Sequence, residues 1–148
     1  MFRVVQPSPL SCDIVDCFWQ CSDALTSSSD DPFEVLPDGC VEVVFALGEL
    51  RGRMMVFGTV TRGSFFPTEL GTVYVGMRLR PARLGGLIDA RADSLTDRHY
   101  QLDSLGGRPA DSLLQQLSGA NSMEAQVAAL EQHVVQAWRA HPRVDRKS

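Results

Sequence analysis

The chain has 148 residues, 44% hydrophobic and 22% charged, which suits one ordinary domain with a packed core and excludes a disordered chain. A formal charge of -4 argues against a phosphate-binding surface as its main business. No apolar run reaches the roughly eighteen residues of a membrane span, and MFRVVQPSPL has one basic residue and no long apolar stretch, so it does not read as a signal peptide. The expectation is a cytoplasmic protein with reduced thiols and no membrane contact.

After the lead VVQPSPL, the stretch SCDIVDCFWQ carries apolar Ile14, Val15, Phe18 and Trp19 with an undecided period, so it reads as a short helix or a strand. It also opens a cluster of Cys12, Cys17 and Cys21, with the fourth cysteine at Cys40. Spacings of four and three intervening residues do not match the Cys-x-x-Cys pairs of structural zinc sites, and no histidine lies near. Packing is the default for such cysteines. A thiol site of Cys17, Cys21 and Cys40 requires helical spacing for the first two and Cys40 close in space.

SDALTSSSDDP at 22–32 reads as a polar, mobile loop, a rim, a lid or a plain connection, and LPDGC at 36–40 as a tight turn. VEVVFAL, MMVFGTV and TVYVGMRLR then read as strands, with glycine-bearing turns at GELRGR and ELGT. Alternation sets Val41, Val43 and Phe45 against Cys40, Glu42 and Val44, and sets Val73, Val75, Met77 and Leu79 against Tyr74, Gly76, Arg78 and Arg80. Beyond Pro81 the pattern turns helical: PARLGGLIDA, ADSLLQQLSG with Gly119 as its stop, and MEAQVAALEQHVVQAWRA. In the last, Met123, Val127, Leu130, Val134 and Trp138 form a stripe, Asn121 and Glu124 stand at capping-box separation, and Pro142 ends the run. The reading is α+β: an antiparallel β-barrel or sheet over 1–80, a helical part over 81–141, and the start of a linker or tail at 142–148, all in one domain.

Chemistry is sparse. RLGGLID and SLGGRP lack the lysine and spacing of a phosphate loop, and RGSFF lacks the second glycine of a nucleophile elbow. His99, His133 and His141 are scattered, and residues 1–80 hold no histidine with which to bind a catalytic metal, so the chain does not read as an enzyme and no cofactor is expected. Glu42 and Arg78 fall mid-strand, where an inward charge is either paired or turned to a ligand and an outward one is an ordinary surface ion pair. Phe18, Trp19, Phe45, Phe57, Phe65 and Phe66 line an apolar pocket or fill the core.

Three stretches, LPDGCVEVVFALG at 36–48, VGMRLRPARLGGLIDARADSLTDRHYQLDSL at 75–105 and the closing helix with HPRVD at 141–145, together with CFW at 17–19, resemble the N-terminal domain of one branch of the AraC-type bacterial transcription regulators. The resemblance implies a β-rich, cupin-like effector domain that binds a small molecule and pairs subunits, with the helix at 123–140 as the candidate dimer face. In such regulators a pair of helix-turn-helix units follows; no segment of 1–148 reads as a basic recognition helix, so direct DNA binding by these residues is not expected. Phe18, Trp19, Glu42, Phe45, Tyr74 and Arg78 are the candidate effector contacts. A thiol-based sensor of a soft metal or electrophile, a small cupin-like enzyme and a filled dimerisation module stand as alternatives.

Overall fold

The computed structural model describes residues 2–22, 33–35, 41–48, 52–58, 64–66, 72–80, 87 and 99–140. The serine-rich loop, the LPDG turn, Cys40, most of PARLGGLIDA and HPRVD with His141 lie outside them.

Six strands, β1 (Phe2–Val5), β2 (Val15–Ser22), β4 (Val41–Leu47), β5 (Arg53–Phe57), β7 (Val73–Leu79) and β8 (His99–Gln101), form one antiparallel sheet in the order β1-β2-β7-β4-β5-β8. The ambiguous SCDIVDCFWQ segment is a turn followed by a strand, with a register shift between Val15 and Cys17. β3 (Phe33–Val35) and β6 (Ser64–Phe66) pair separately. A hairpin of β9 (Ser104–Leu105) and β10 (Arg108–Pro109) leads into the helices α1 (Ala110–Gly119) and α2 (Met123–Ala140).

The sheet is open, with β1 and β8 at its edges, so the described residues form the sheet and not a closed barrel. The succession is no simple meander either, because β7 inserts between β2 and β4. Residues 81–141 are not wholly helical: β8, β9 and β10 are two or three residues each, too short for any period to show.

Both faces of the central strands are buried. On one, Phe18, Val43, Phe45, Val75, Met77 and Leu79 pack with Leu113, Leu114 and Leu117 of α1 and with Met123, Val127, Leu130 and Val134 of α2. The α2 stripe is therefore committed to the sheet, and pairing of two chains through 123–140 would use the outward face of Ala125, Ala128, Gln132, Gln136 and Arg139.

Polar ties complete the α2 seat. Ser122 caps it, its hydroxyl oxygen accepting from the Ala125 N–H at 3.1 Å, so the cap is one residue later than an Asn121 capping box requires. Glu131 Oε2 accepts from the Ser8 N–H at 2.8 Å and from the buried Ser11 hydroxyl at 2.6 Å, fastening the turn that leads into β2. Burial works to raise the Glu131 carboxyl, but the bonds from Ser11 and Ser8 outweigh it and hold the group below its ordinary value.

His133 has a structural place. It is buried, and its Nε2 lies 2.7 Å from the Leu105 carbonyl at the β9 end of the hairpin. Gly106 and Gly107 between β9 and β10 have φ of 59° and 82°, the two positive values of a tight hairpin turn. A Cβ on Gly106 would also stand 2.5 Å from that of Ala137, so the hairpin rests directly on α2.

Two predictions follow from this seat. Glu131→Ala strips the acceptor from a buried hydroxyl and is expected to cost about 1–3 kcal/mol in chemical denaturation, against near-neutrality if the tie is idle. Burial lowers the pKa of His133, with the Leu105 bond opposing and the Arg108 charge reinforcing it. The folded state thus binds this proton less readily than the unfolded one: its stability contribution is complete above about pH 6.5 and falls as pH drops below it. Unfolding free energies at pH 7.5 and 5.5 are expected to diverge between wild type and His133→Gln, and parallel curves would exclude the linkage.

Candidate functional site

The second buried face is set by strand alternation. Strand register aligns Cys17, Arg78, Glu42 and Phe57 across β2, β7, β4 and β5, with Trp19, Gly76, Val44 and Met55 in the next row and Cys21, Tyr74 and Ala46 in the third. Trp19, Val44, Ala46, Met55, Phe57 and Tyr74 form a continuous apolar cluster there.

Into this cluster the chain places a carboxylate. Glu42 is 4% exposed; its Oε1 accepts from Trp19 Nε1 at 2.7 Å and its Oε2 faces Arg78 at 3.5 Å. Glu42 and Arg78 are direct neighbours on adjacent strands, so the ion pair needs no long reach. Trp19, however, sits two strands from β4, a separation of roughly 10 Å. Its indole spans that distance by lying over Gly76: a Cβ there would stand 1.9 Å from Cε2 and 2.0 Å from Cζ2 of the ring. The bare backbone of Gly76 is what lets the indole reach the carboxylate.

Burying Trp19 and Tyr74 stabilises by ~4–6 kcal/mol each before ordering costs, at roughly 150–250 Å² a ring and about 25 cal/mol per Å². That is comparable with the several kcal/mol that desolvating a carboxylate costs. The aromatic cluster thus tolerates Glu42 without requiring it. Arg78 is less enclosed than Glu42, its side chain 27% exposed although its Nε is buried.

Of the six residues singled out from the sequence, the structure brings Trp19, Glu42, Tyr74 and Arg78 onto this face. Phe18 and Phe45 are not with them: both are fully buried on the opposite, helix-packed face. Trp19 and Phe18 are neighbours in sequence, and strand geometry sends neighbours to opposite sides. Phe57 joins the Trp19 face, whereas the side chains of Phe65 and Phe66 lie outside the described residues. Met55 and Val44 complete the floor and had no signal beyond alternation.

The thiol reading requires helical spacing, and the structure makes the segment a strand. Cys17 and Cys21 share a face, but four residues of strand separate them by about 13 Å along the chain with Trp19 between. Cys12 is exposed at the turn, and Cys40 lies outside the described residues. Among the described residues no group of three or more His, Cys, Asp or Glu is placed to hold a metal ion. His99 does stand on a strand, opposite Phe57 in β5, although the sequence pattern puts it in the helical half. No helix among the described residues is long and apolar enough to cross a membrane.

A family model described as a domain of unknown function, DUF6597, matches residues 3–101. The chain belongs to this family. The matched span takes in the whole DUF6597 sheet from Arg3 in β1 to Gln101 in β8, including all four residues gathered on the Trp19 face; α1 and α2 lie beyond it. Neither curated proteins nor solved structures yield a match to the chain.

In this DUF6597 sheet Gly76→Ala is the sharpest test of the site. The added methyl displaces the indole and breaks the bond to Glu42, with an expected loss of about 1–3 kcal/mol. The emission of Trp19, recorded with Trp138→Phe to remove the second tryptophan, is expected to shift to the red; unchanged emission and stability would mean that the indole does not depend on Gly76.

Proposed function

We propose that this DUF6597 domain is the ligand-sensing half of an AraC-type transcription regulator and that a small-molecule effector is held on the Trp19 face. The observation that carries the reading is the buried Trp19–Glu42–Arg78 set within an otherwise apolar aromatic cluster. Ligand sites are mostly apolar, with a few placed polar groups that fix orientation, and this face has that composition. A buried ion pair is poor evidence of stabilisation, because well-packed apolar residues of similar volume serve as well or better. Its presence is better accounted for by a ligand that uses it. The resemblance of LPDGCVEVVFALG and the VGMRLRP stretch to the AraC-type branch supports the same reading, and DUF6597 is often found in such regulators.

In this reading the effector acts on β2. The strand presents Trp19 to the site and Gln20 to the helices, where Gln20 Nε2 donates to Gln126 of α2 at 3.0 Å. A ligand that prefers one placement of Trp19 would bias α2, and with it any unit attached beyond; equal affinity for both placements would transmit nothing. DNA contact is assigned to the helix-turn-helix half that the resemblance implies, and not to residues 1–148. Pairing of two chains, where it occurs, is assigned to the outward face of α2.

A library of small acids, amines and neutral aromatic compounds, screened by Trp19 emission in the Trp138→Phe background, tests the proposal. A binder is expected whose affinity falls at least about tenfold, or ~1.4 kcal/mol, in Arg78→Ala. Arg80→Ala, at an exposed arginine two residues along, is expected to leave affinity unchanged. Equal losses at both arginines, or no compound that perturbs Trp19, would remove the sensing role from this face.

A further inference from the structure

We infer that the groove between the sheet and the α1–α2 turn is a second binding site, for a small zwitterion of the aliphatic α-amino acid class. It lies on the helix-packed side of the sheet, away from Glu42, and the inference does not rest on the sensing role of the Trp19 face.

The groove has a volume of about 570 Å³, within the range of roughly 300–1,000 Å³ typical of small-molecule sites. Six elements contribute to it: β1, β2, β4, β7 and the facing ends of α1 and α2. Its apolar lining is Leu47, Val73 and Met123, the ends of two strands and the first residue of α2. Its polar wall is fixed by amides. Gln126 is 7% exposed, donates through Nε2 to the Leu117 carbonyl at 3.3 Å and accepts from Gln20 at 3.0 Å. Gln20 is bound through its nitrogen, which leaves its side-chain oxygen to accept from an ammonium.

The charges decide the ligand class. Arg3 and Glu124 pair across β1 and α2 at 3.0 Å, both well exposed. A singly charged ligand gains from one of them and is repelled by the other. A zwitterion laid antiparallel to the pair gains from both, its carboxylate on the guanidinium and its ammonium on the carboxylate. In an α-amino acid the two charged groups share one carbon, a separation that matches an ion pair in contact. Arg3 spends one N–H on Glu124 and has donors left for a second carboxylate. The exposed pair itself holds its geometry weakly, so it adjusts at little cost. Its own backbone N–H and the Arg3 charge keep Glu124 below its ordinary pKa, hence ionised at neutral pH. An aliphatic side chain then covers Leu47, Val73 and Met123.

The test is a titration of the ¹⁵N-labelled chain with L-leucine, with 3-methylbutylamine, which lacks its carboxylate, and with 4-methylpentanoate, which lacks its ammonium. Leucine is expected to give saturable amide shifts at Gly48 and over 121–126. The two singly charged analogues are expected to bind at least about tenfold more weakly, each having lost one charge-assisted contact. Arg3→Glu is expected to abolish leucine binding and the double variant Arg3→Glu with Glu124→Arg to restore it. Both positions are exposed, and unchanged melting temperatures would certify the fold. Glu42→Gln is expected to leave leucine binding intact, which separates this site from the Trp19 face. Equal affinity for the three compounds, saturable shifts elsewhere, or no saturable shift with leucine would overturn the assignment.

Discussion

A carboxylate buried in the middle of a sheet constrains everything around it. Glu42 needs a donor on each oxygen, and Trp19 and Arg78 supply them. Arg78 is supplied by register alone, as the residue opposite Glu42 on β7. Trp19 requires more: β7 must lie between β2 and β4, and the β7 residue opposite Trp19 must be glycine, since a Cβ would overlap the indole. The unusual strand order and Gly76 are two conditions of one interaction. A β7 paired to its sequence neighbours, as in a plain meander, would take Arg78 away from Glu42.

The other face of the same strands obeys a different economy. It is apolar from Phe18 to Leu79 and is closed by α1 and α2, whose leucines and valines meet it without buried charge. What orients α2 on that surface is polar and peripheral. Ser8 and Ser11 meet Glu131 and Gln20 meets Gln126 from the N-terminal segment, and the Leu105 carbonyl meets His133 from the β9 hairpin. Apolar packing alone is non-directional. These hydrogen bonds fix the rotation and axial position that packing leaves soft.

Much of this was legible in the sequence, and the failures have physical reasons. Alternation in VEVVFAL and TVYVGMRLR separated Glu42, Tyr74 and Arg78 from Val43, Phe45 and Met77 correctly, because side-chain direction in a strand is a local property. The helices over 110–119 and 123–140 stood out because an amphipathic stripe repeats over several turns. Grouping Phe18 and Phe45 with Trp19 failed because SCDIVDCFWQ showed no clear period, so aromatic character outweighed facing. β1, β8, β9 and β10 escaped notice because two to four residues carry no period, and their pairing is decided by distant partners such as Trp19 for Val4 and Val56 for Tyr100. The Glu131 acceptor site was invisible for the same reason: more than a hundred residues separate it from Ser11.

β2 is where the two faces meet. Along eight residues it directs Cys17, Trp19 and Cys21 to the carboxylate side and Phe18 and Gln20 to the helix side, while its preceding turn is fastened to α2 by Glu131. A strand buried on both sides and bonded at both edges cannot rotate a residue freely. A displacement of Trp19 must therefore be absorbed by the β1 and β7 hydrogen bonds or passed to Gln20 and the turn. β1 is the softer of the two neighbours, being a four-residue edge strand with Val4 half-exposed, whereas β7 is held by β4 on its far side. Strain at the Glu42 site accordingly has its easiest outlet toward β1 and the N-terminal end of α2, which is where the Arg3–Glu124 groove opens.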